Sequence, residues 1–206
     1  MIVSHEHKFI FVKTRKTAGS TFEKLVRPYL GPDDICTGST RDDTPALNIN
    51  PDTNGHLPLT EIRARYFPKG IDIAGYDIIS IERNPYDKVV SSYYWHQHIK
   101  PDQFGKMDFE LYMRTCNLLP SDWGLYTLGG LIPPKLKMFH YESMDELYLW
   151  LKKSRSVHIV LDKVGQTRLK SGIRKVQDYK ELHTGITKRV VDTVFAKELK
   201  EFSYEF

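Results

Sequence analysis

Cysteine is scarce in this sequence: Cys36 and Cys116 are the only two among 206 residues. They stand far apart, which excludes the ligand spacing of a zinc site, a redox pair and a disulfide framework. Two buried or partly buried thiols are expected instead. Long apolar runs are missing as well. Nothing approaches the ~20 residues that span a bilayer, and Met1 to Lys8 is polar, without the apolar centre of a secretory signal. A cytoplasmic protein or a trimmed domain is therefore expected, with no membrane span. Charge of one sign is also lacking: 30 Lys and Arg against 26 Asp and Glu leave a formal net charge of +4. So small an excess suits a polyanionic small ligand or an acidic glycan and does not by itself imply nucleic acid. There is no internal repeat, low-complexity tract or heptad pattern, which removes solenoids and coiled coils.

What is present is an ordinary globular composition, 40% hydrophobic and 27% charged, in a length that suits one domain over residues 1–206. Lys8–Lys13 reads as a buried strand, Asp77–Glu82 as a second core strand, Leu136–His140 as a third strand, and Val157–Leu161 as an edge strand. Ser20–Leu30 reads as a helix with Phe22, Leu25, Val26, Tyr29 and Leu30 on one face, stopped by Gly31-Pro32. Further helices are expected at Pro58–Tyr66, Phe109–Cys116, Ser143–Lys153 (Ser143 and Glu146 at capping-box spacing) and Ile186–Leu199. Another opens after Asn84, a candidate N-cap, with Pro85 at its first position and Asp87 in its first turn. Its apolar stripe is Tyr86, Val89, Val90, Tyr93 and Tyr94. Gly31–Gly55 reads as a long loop of the kind that is functional or mobile. Strands alternating with helices predict an α/β fold with a mainly parallel sheet of about four to five strands flanked by helices.

Chemistry concentrates at two strand-to-helix corners. In the first, Phe11-Val12-Lys13-Thr14-Arg15-Lys16-Thr17-Ala18-Gly19-Ser20-Thr21, a strand gives way to a loop of small residues and then to a helix. Backbone N–H groups at such a start converge on one spot and the helix dipole makes it positive. Ala18 and Gly19 allow close approach of an oxygen, Ser20 and Thr21 add hydroxyls, and Lys16 adds an ammonium. The lysine precedes the glycine, so this is not a Walker A loop. The second corner is Arg83-Asn84-Pro85-Tyr86-Asp87-Lys88-Val89-Val90-Ser91-Ser92-Tyr93. Arg83 ends a strand and Ser91 lies eight positions on, about two helical turns. A forked guanidinium and a hydroxyl can then meet one phosphate.

The order Lys-Thr-Ala-Gly-Ser-Thr resembles the 5'-phosphosulfate loop of sulfotransferases that use 3'-phosphoadenosine-5'-phosphosulfate (PAPS), with Arg15 where the family form has proline. Arg83 with Ser91 resembles their 3'-phosphate site. Gly55-His56-Leu57-Pro58 is similar to the family's histidine segment. Phe139-His140-Tyr141-Glu142-Ser143-Met144 and the ending Glu198–Phe206 also look like family segments. The resemblance covers nearly the whole chain and is nearest the carbohydrate and heparan-sulfate 2-O-type branch with its bacterial and phage homologues.

That resemblance implies a P-loop-like three-layer sandwich and sulfuryl transfer from PAPS to an acceptor hydroxyl, with a carbohydrate the first expectation. Adenosine 3',5'-bisphosphate (PAP) would be the product, and no metal would be needed. It makes His56 the candidate general base, with Glu61 as the alternative, and Lys16 the group that stabilises the leaving phosphate. Arg15, Lys16, Thr17, Ala18, Gly19, Ser20 and Thr21 would hold the 5' end of the donor, and Arg83 and Ser91 its 3'-phosphate. Lys170 or Arg174, in the basic segment Gly165–Lys175, would close over the nucleotide. Trp123 can meet a sugar ring. The pairs His5/His7 and His96/His98 read as solvated rather than metal-binding. Two other readings stand beside this one: a P-loop nucleotide kinase or phosphotransferase, and a non-catalytic nucleotide-binding module. Acceptor identity and oligomeric state are not encoded in any motif here.

Overall fold

A computed structural model describes residues 1–37, 55–67, 72–116, 119–159 and 172–206. Most of the Gly31–Gly55 loop, the end of the expected Val157–Leu161 strand, and Lys170 lie outside the described residues; Val157–Ile159 are not strand. The chain divides into two compact units, Met1–Glu82 with Gly124–Leu169, and Arg83–Trp123 with Lys170–Phe206.

The first unit is a single-sheet α/β structure. Its strands are β1 (Ile2–Ser4), β2 (Phe9–Val12), β3 (Ile35–Cys36), β4 (Asp77–Glu82) and β5 (Leu136–His140), in the order β3-β1-β2-β4-β5. β2, β4 and β5 are parallel, whereas β1 pairs antiparallel with both β2 and β3. The expected parallel centre is there, but the sheet is mixed, because residues 5–8 turn tightly enough to lay β1 back along β2. Lys8 enters the left-handed region in that turn (φ 55). Asp34, buried, ties the turn down by accepting from the His5 and Glu6 N–H groups and from the Ser4 hydroxyl.

Helix α1 (Gly19–Val26) presents Phe22, Leu25 and Val26 to the sheet, as its sequence period requires. Phe22 meets Phe11 edge-on at 4.5 Å between ring centroids. The core also takes Ile79, Ile81, Leu147, Tyr148 and Leu151. α2 (Leu59–Tyr66) buries Leu59 and Ile62. α7 (Met144–Arg155) starts from a 3-10 turn, Tyr141–Ser143, and Ser143 makes no side-chain cap, so the expected capping box is not formed.

One polar group in this core has a stability consequence. Glu23 stands on α1 and is 2% exposed, with the Met1 α-ammonium at 2.6 Å and Lys13 Nζ at 2.5 Å. Burial raises its carboxyl pKa, but the two cations outweigh burial and hold it below the usual value of 4.5. A depressed folded pKa stabilises the fold above the unfolded value and is lost as pH falls through the folded one. Chemical denaturation across pH is therefore expected to show wild type losing stability below 4.5. Glu23→Gln should lack that acid limb and be about 3–5 kcal/mol less stable at neutral pH, because it takes the buried counter-charge from Lys13 and from the Met1 amine, whose pKa burial already lowers. Equal acid limbs in the two proteins would refute the assignment.

The second unit is helical: α3 (Pro85–Ile99), α4 (Pro101–Phe104), α5 (Phe109–Thr115), α8 (Gly185–Val194) and α9 (Ala196–Glu201), with α6 (Trp123–Tyr126) beginning at its boundary. The α3 stripe Tyr86, Val89, Val90, Tyr93 and Tyr94 is buried as expected, packing with Phe109, Tyr112, Val191 and Phe195. Asn84 caps α3 by accepting from the Tyr86 N–H at 3.0 Å. The single helix expected over Ile186–Leu199 is broken at Phe195, whose backbone leaves the helical region (φ −110, ψ 22) while its ring enters the core. Among the described residues no helix is long and apolar enough to cross a membrane.

Candidate functional site

In the first unit the site forms where β2 ends. The hydroxyl of Ser80 donates to the Val12 carbonyl at 2.8 Å, and the Thr14 hydroxyl donates to the Ile81 carbonyl, so the loop leaves the sheet pinned to β4. Thr17, buried, bonds its hydroxyl to that of Thr14 at 2.8 Å. Its side chain thus shapes the loop from inside. Lys16 (φ 60) and Ala18 (φ 59) both adopt the left-handed conformation. That costs an L-residue ~1–2 kcal/mol and persists only where the surroundings over-determine it. Alternation of backbone hand is what gathers N–H groups into an anion-binding concavity. Ala18 is the N-cap of α1 and has no side-chain oxygen to offer the first N–H groups of the helix. Ser20 is half-buried beside them and Thr21 is buried.

Gly19 is required by packing. A Cβ there would lie 2.8 Å from Lys13 Cγ, and Lys13 is immobilised by its ion pair with Glu23. Lys13 and Glu23 are absent from the sequence-level site. The signal was faint: Glu23 is the one carboxylate on α1 and stands at the edge of its apolar stripe.

His56 comes to the same corner. Its Nδ1 lies 3.0 Å from the Lys13 carbonyl oxygen. A carbonyl only accepts, so Nδ1 carries the proton and Nε2 the lone pair in the neutral ring. That is the tautomer a general base needs. Glu61, the alternative base, instead pairs with Arg65 one turn along α2.

In the second unit, Arg83 is 7% exposed. Its Nε and Nη2 donate to Asp87 Oδ2 at 2.8 and 2.6 Å. Arg174 donates from Nη1 to the other oxygen of the same carboxylate. Two arginines that the sequence reading placed in the donor site are thus joined through Asp87, which that reading used only as a first-turn acid. Ser91 is half-buried one turn beyond Asp87, on the same side of α3. Tyr94 follows along that side; burial raises its hydroxyl pKa while Arg174 opposes the rise.

No protein-family model and no curated protein matches this sequence. The case therefore stands on these two corners.

Other expectations fare unevenly. Trp123 carries Lys197 over its ring at 5.8 Å and Phe202 at 6.5 Å, so protein groups already occupy its neighbourhood. Three of the four paired histidines are structural rather than solvated. His5 bonds Tyr76 Oη at 2.7 Å, His7 faces the Tyr29 and Arg155 carbonyls at 2.8 Å each, and His96 bonds Tyr112 Oη at 2.9 Å. Cys36 and Cys116 are free thiols.

Proposed function

We propose that this protein is a PAPS-dependent sulfotransferase acting on an acceptor hydroxyl, with a carbohydrate as the preferred acceptor class and a P-loop-like arrangement of sheet and helices. The observation that carries the reading is the β2–α1 corner. There a loop with two left-handed residues opens a helix beside a histidine whose tautomer suits a base. The residues fit the donor chemically: an N–H-rich concavity with Lys16 suits a phosphosulfate, and an arginine held beside a serine-bearing helix face suits a second phosphate.

In this reading His56 Nε2 takes the proton of the acceptor hydroxyl as its oxygen bonds to sulfur. The bond from sulfur to the bridging phosphate oxygen breaks, and that oxygen keeps the electron pair. Lys16 and the N–H groups of the α1 start stabilise the charge growing there. Arg83 and Ser91 bind the 3'-phosphate and set the position of the donor. PAPS supplies the activated sulfuryl group.

Calorimetry with PAP in the presence of a chelator is the direct test, paired with sulfur-labelled PAPS on a panel of glycans. PAP is expected to bind without divalent metal, and label to move onto at least one hydroxyl acceptor. Binding of magnesium–ATP with none of PAP would overturn the reading in favour of a kinase.

A further inference from the structure

The carboxylate of Asp87 stands on the α3 side that also carries Ser91, where the donor reading places a phosphate. An acid there repels a phosphate unless it does something else. Its contacts show what. Oδ2 receives both Nε and Nη2 of Arg83, which fixes the plane of that guanidinium as well as its position. Oδ1 receives Arg174 Nη1. The other two nitrogens of Arg174 donate to the Val176 carbonyl at 2.6 Å and the Gln177 carbonyl at 2.8 Å. Arg174 therefore works as a staple between α3 and residues 174–177. The side chains of Asp87, Arg83 and Arg174 are 14%, 8% and 23% exposed, so the cluster is largely withdrawn from water and its bonds are charge-assisted. One carboxylate between two guanidiniums leaves a net charge of +1, so the acid orders the arginines without cancelling the attraction for an anion.

We propose that Asp87 is a positioning residue for the 3'-phosphate of the donor: it aims Arg83 and, through Arg174, anchors residues 174–177 to α3. This rests on the sulfotransferase reading and assigns the discrimination between nucleotides with and without a 3'-phosphate to a residue that touches neither. Arg174 acts in it as a structural arm, not as a direct phosphate ligand.

The test compares PAP with AMP, which lacks only the 3'-phosphate, by calorimetry on wild type, Asp87→Asn, Arg83→Ala and the double variant. Asp87→Asn keeps the shape but turns an N–H donor toward one arginine. It is expected to weaken PAP by about tenfold or more and leave AMP within about threefold. The double variant should lose less PAP affinity than the two single losses multiplied together, since Asp87 acts in part through that arginine. PAP binding unchanged or tightened in Asp87→Asn overturns the proposal, as does equal weakening of PAP and AMP. Wild type that does not prefer PAP over AMP overturns the donor reading and this proposal with it. Should Asp87→Asn fail to fold, Asp87→Glu keeps the charge and displaces it by one methylene; the same PAP-selective loss is expected, and its absence counts against Asp87.

Discussion

Turnover with PAPS should fall by about 10²–10⁴ when His56 is replaced by alanine, with PAP affinity unchanged. The ring is docked through Nδ1 on the Lys13 carbonyl, so its removal would take away the proposed base and leave the α1 corner in place. Lys16→Ala should lose about 10²–10³ in the same assay, the scale of one donor to a developing oxyanion. The two losses differ in kind. In the proposed mechanism His56 acts on the acceptor proton, so its variant should keep a normal PAP complex. Lys16 is proposed to act on the leaving phosphate, and its left-handed backbone is one of the two that shape the loop. Lys16→Gly, which removes the charge while easing that conformation, should be as inactive as Lys16→Ala. Full turnover in His56→Ala would remove His56 as the base; full turnover in Lys16→Gly would show that its backbone, not its charge, matters.

The second large effect is on folding. Lys88 and Asp122 are both 0% exposed and meet at 2.8 Å inside the helical unit. Removing one partner leaves a buried charge without its counter-ion, which costs about 3–5 kcal/mol. Against a total stability of about 5–15 kcal/mol that is a large share. Lys88→Met is therefore expected to shift the urea midpoint strongly downward. Lys88→Met with Asp122→Leu should recover most of the loss, because a well-packed apolar pair replaces an ion pair at little net cost. A wild-type midpoint in Lys88→Met alone would contradict the pairing. Lys88 lies between Arg83 and Ser91, so nucleotide binding by Lys88→Met should be compared only under conditions where it is folded.

Much of the local structure was legible because it rests on short-range rules. β2 announces itself by a continuous apolar run, β4 and β5 by short apolar clusters, and α1, α2, α3 and α5 by period and end signals such as Asn84-Pro85. Less legible were β1 and β3, of three and two residues, which are too short to show a period. Helix continuity at Phe195 was misjudged because an apolar residue at the right spacing fits an unbroken helix as well as a kink. The capping box expected at Ser143 was pre-empted by a 3-10 turn.

The positions of the main strands and helices, the two strand-to-helix corners and the residue types each presents were readable along the chain, since these depend on neighbours within a few positions. Tertiary structure alone decided the partners. The tautomer of His56 depends on a carbonyl 43 positions away. The bond from Arg174 to Asp87, through which Arg174 joins Arg83, spans 87 positions, and Lys13, Glu23, Lys88 and Asp122 became buried charges by long-range packing. A side chain's rotamer, tautomer and counter-charge are set by whatever the folded chain brings beside it, and no local pattern carries that information.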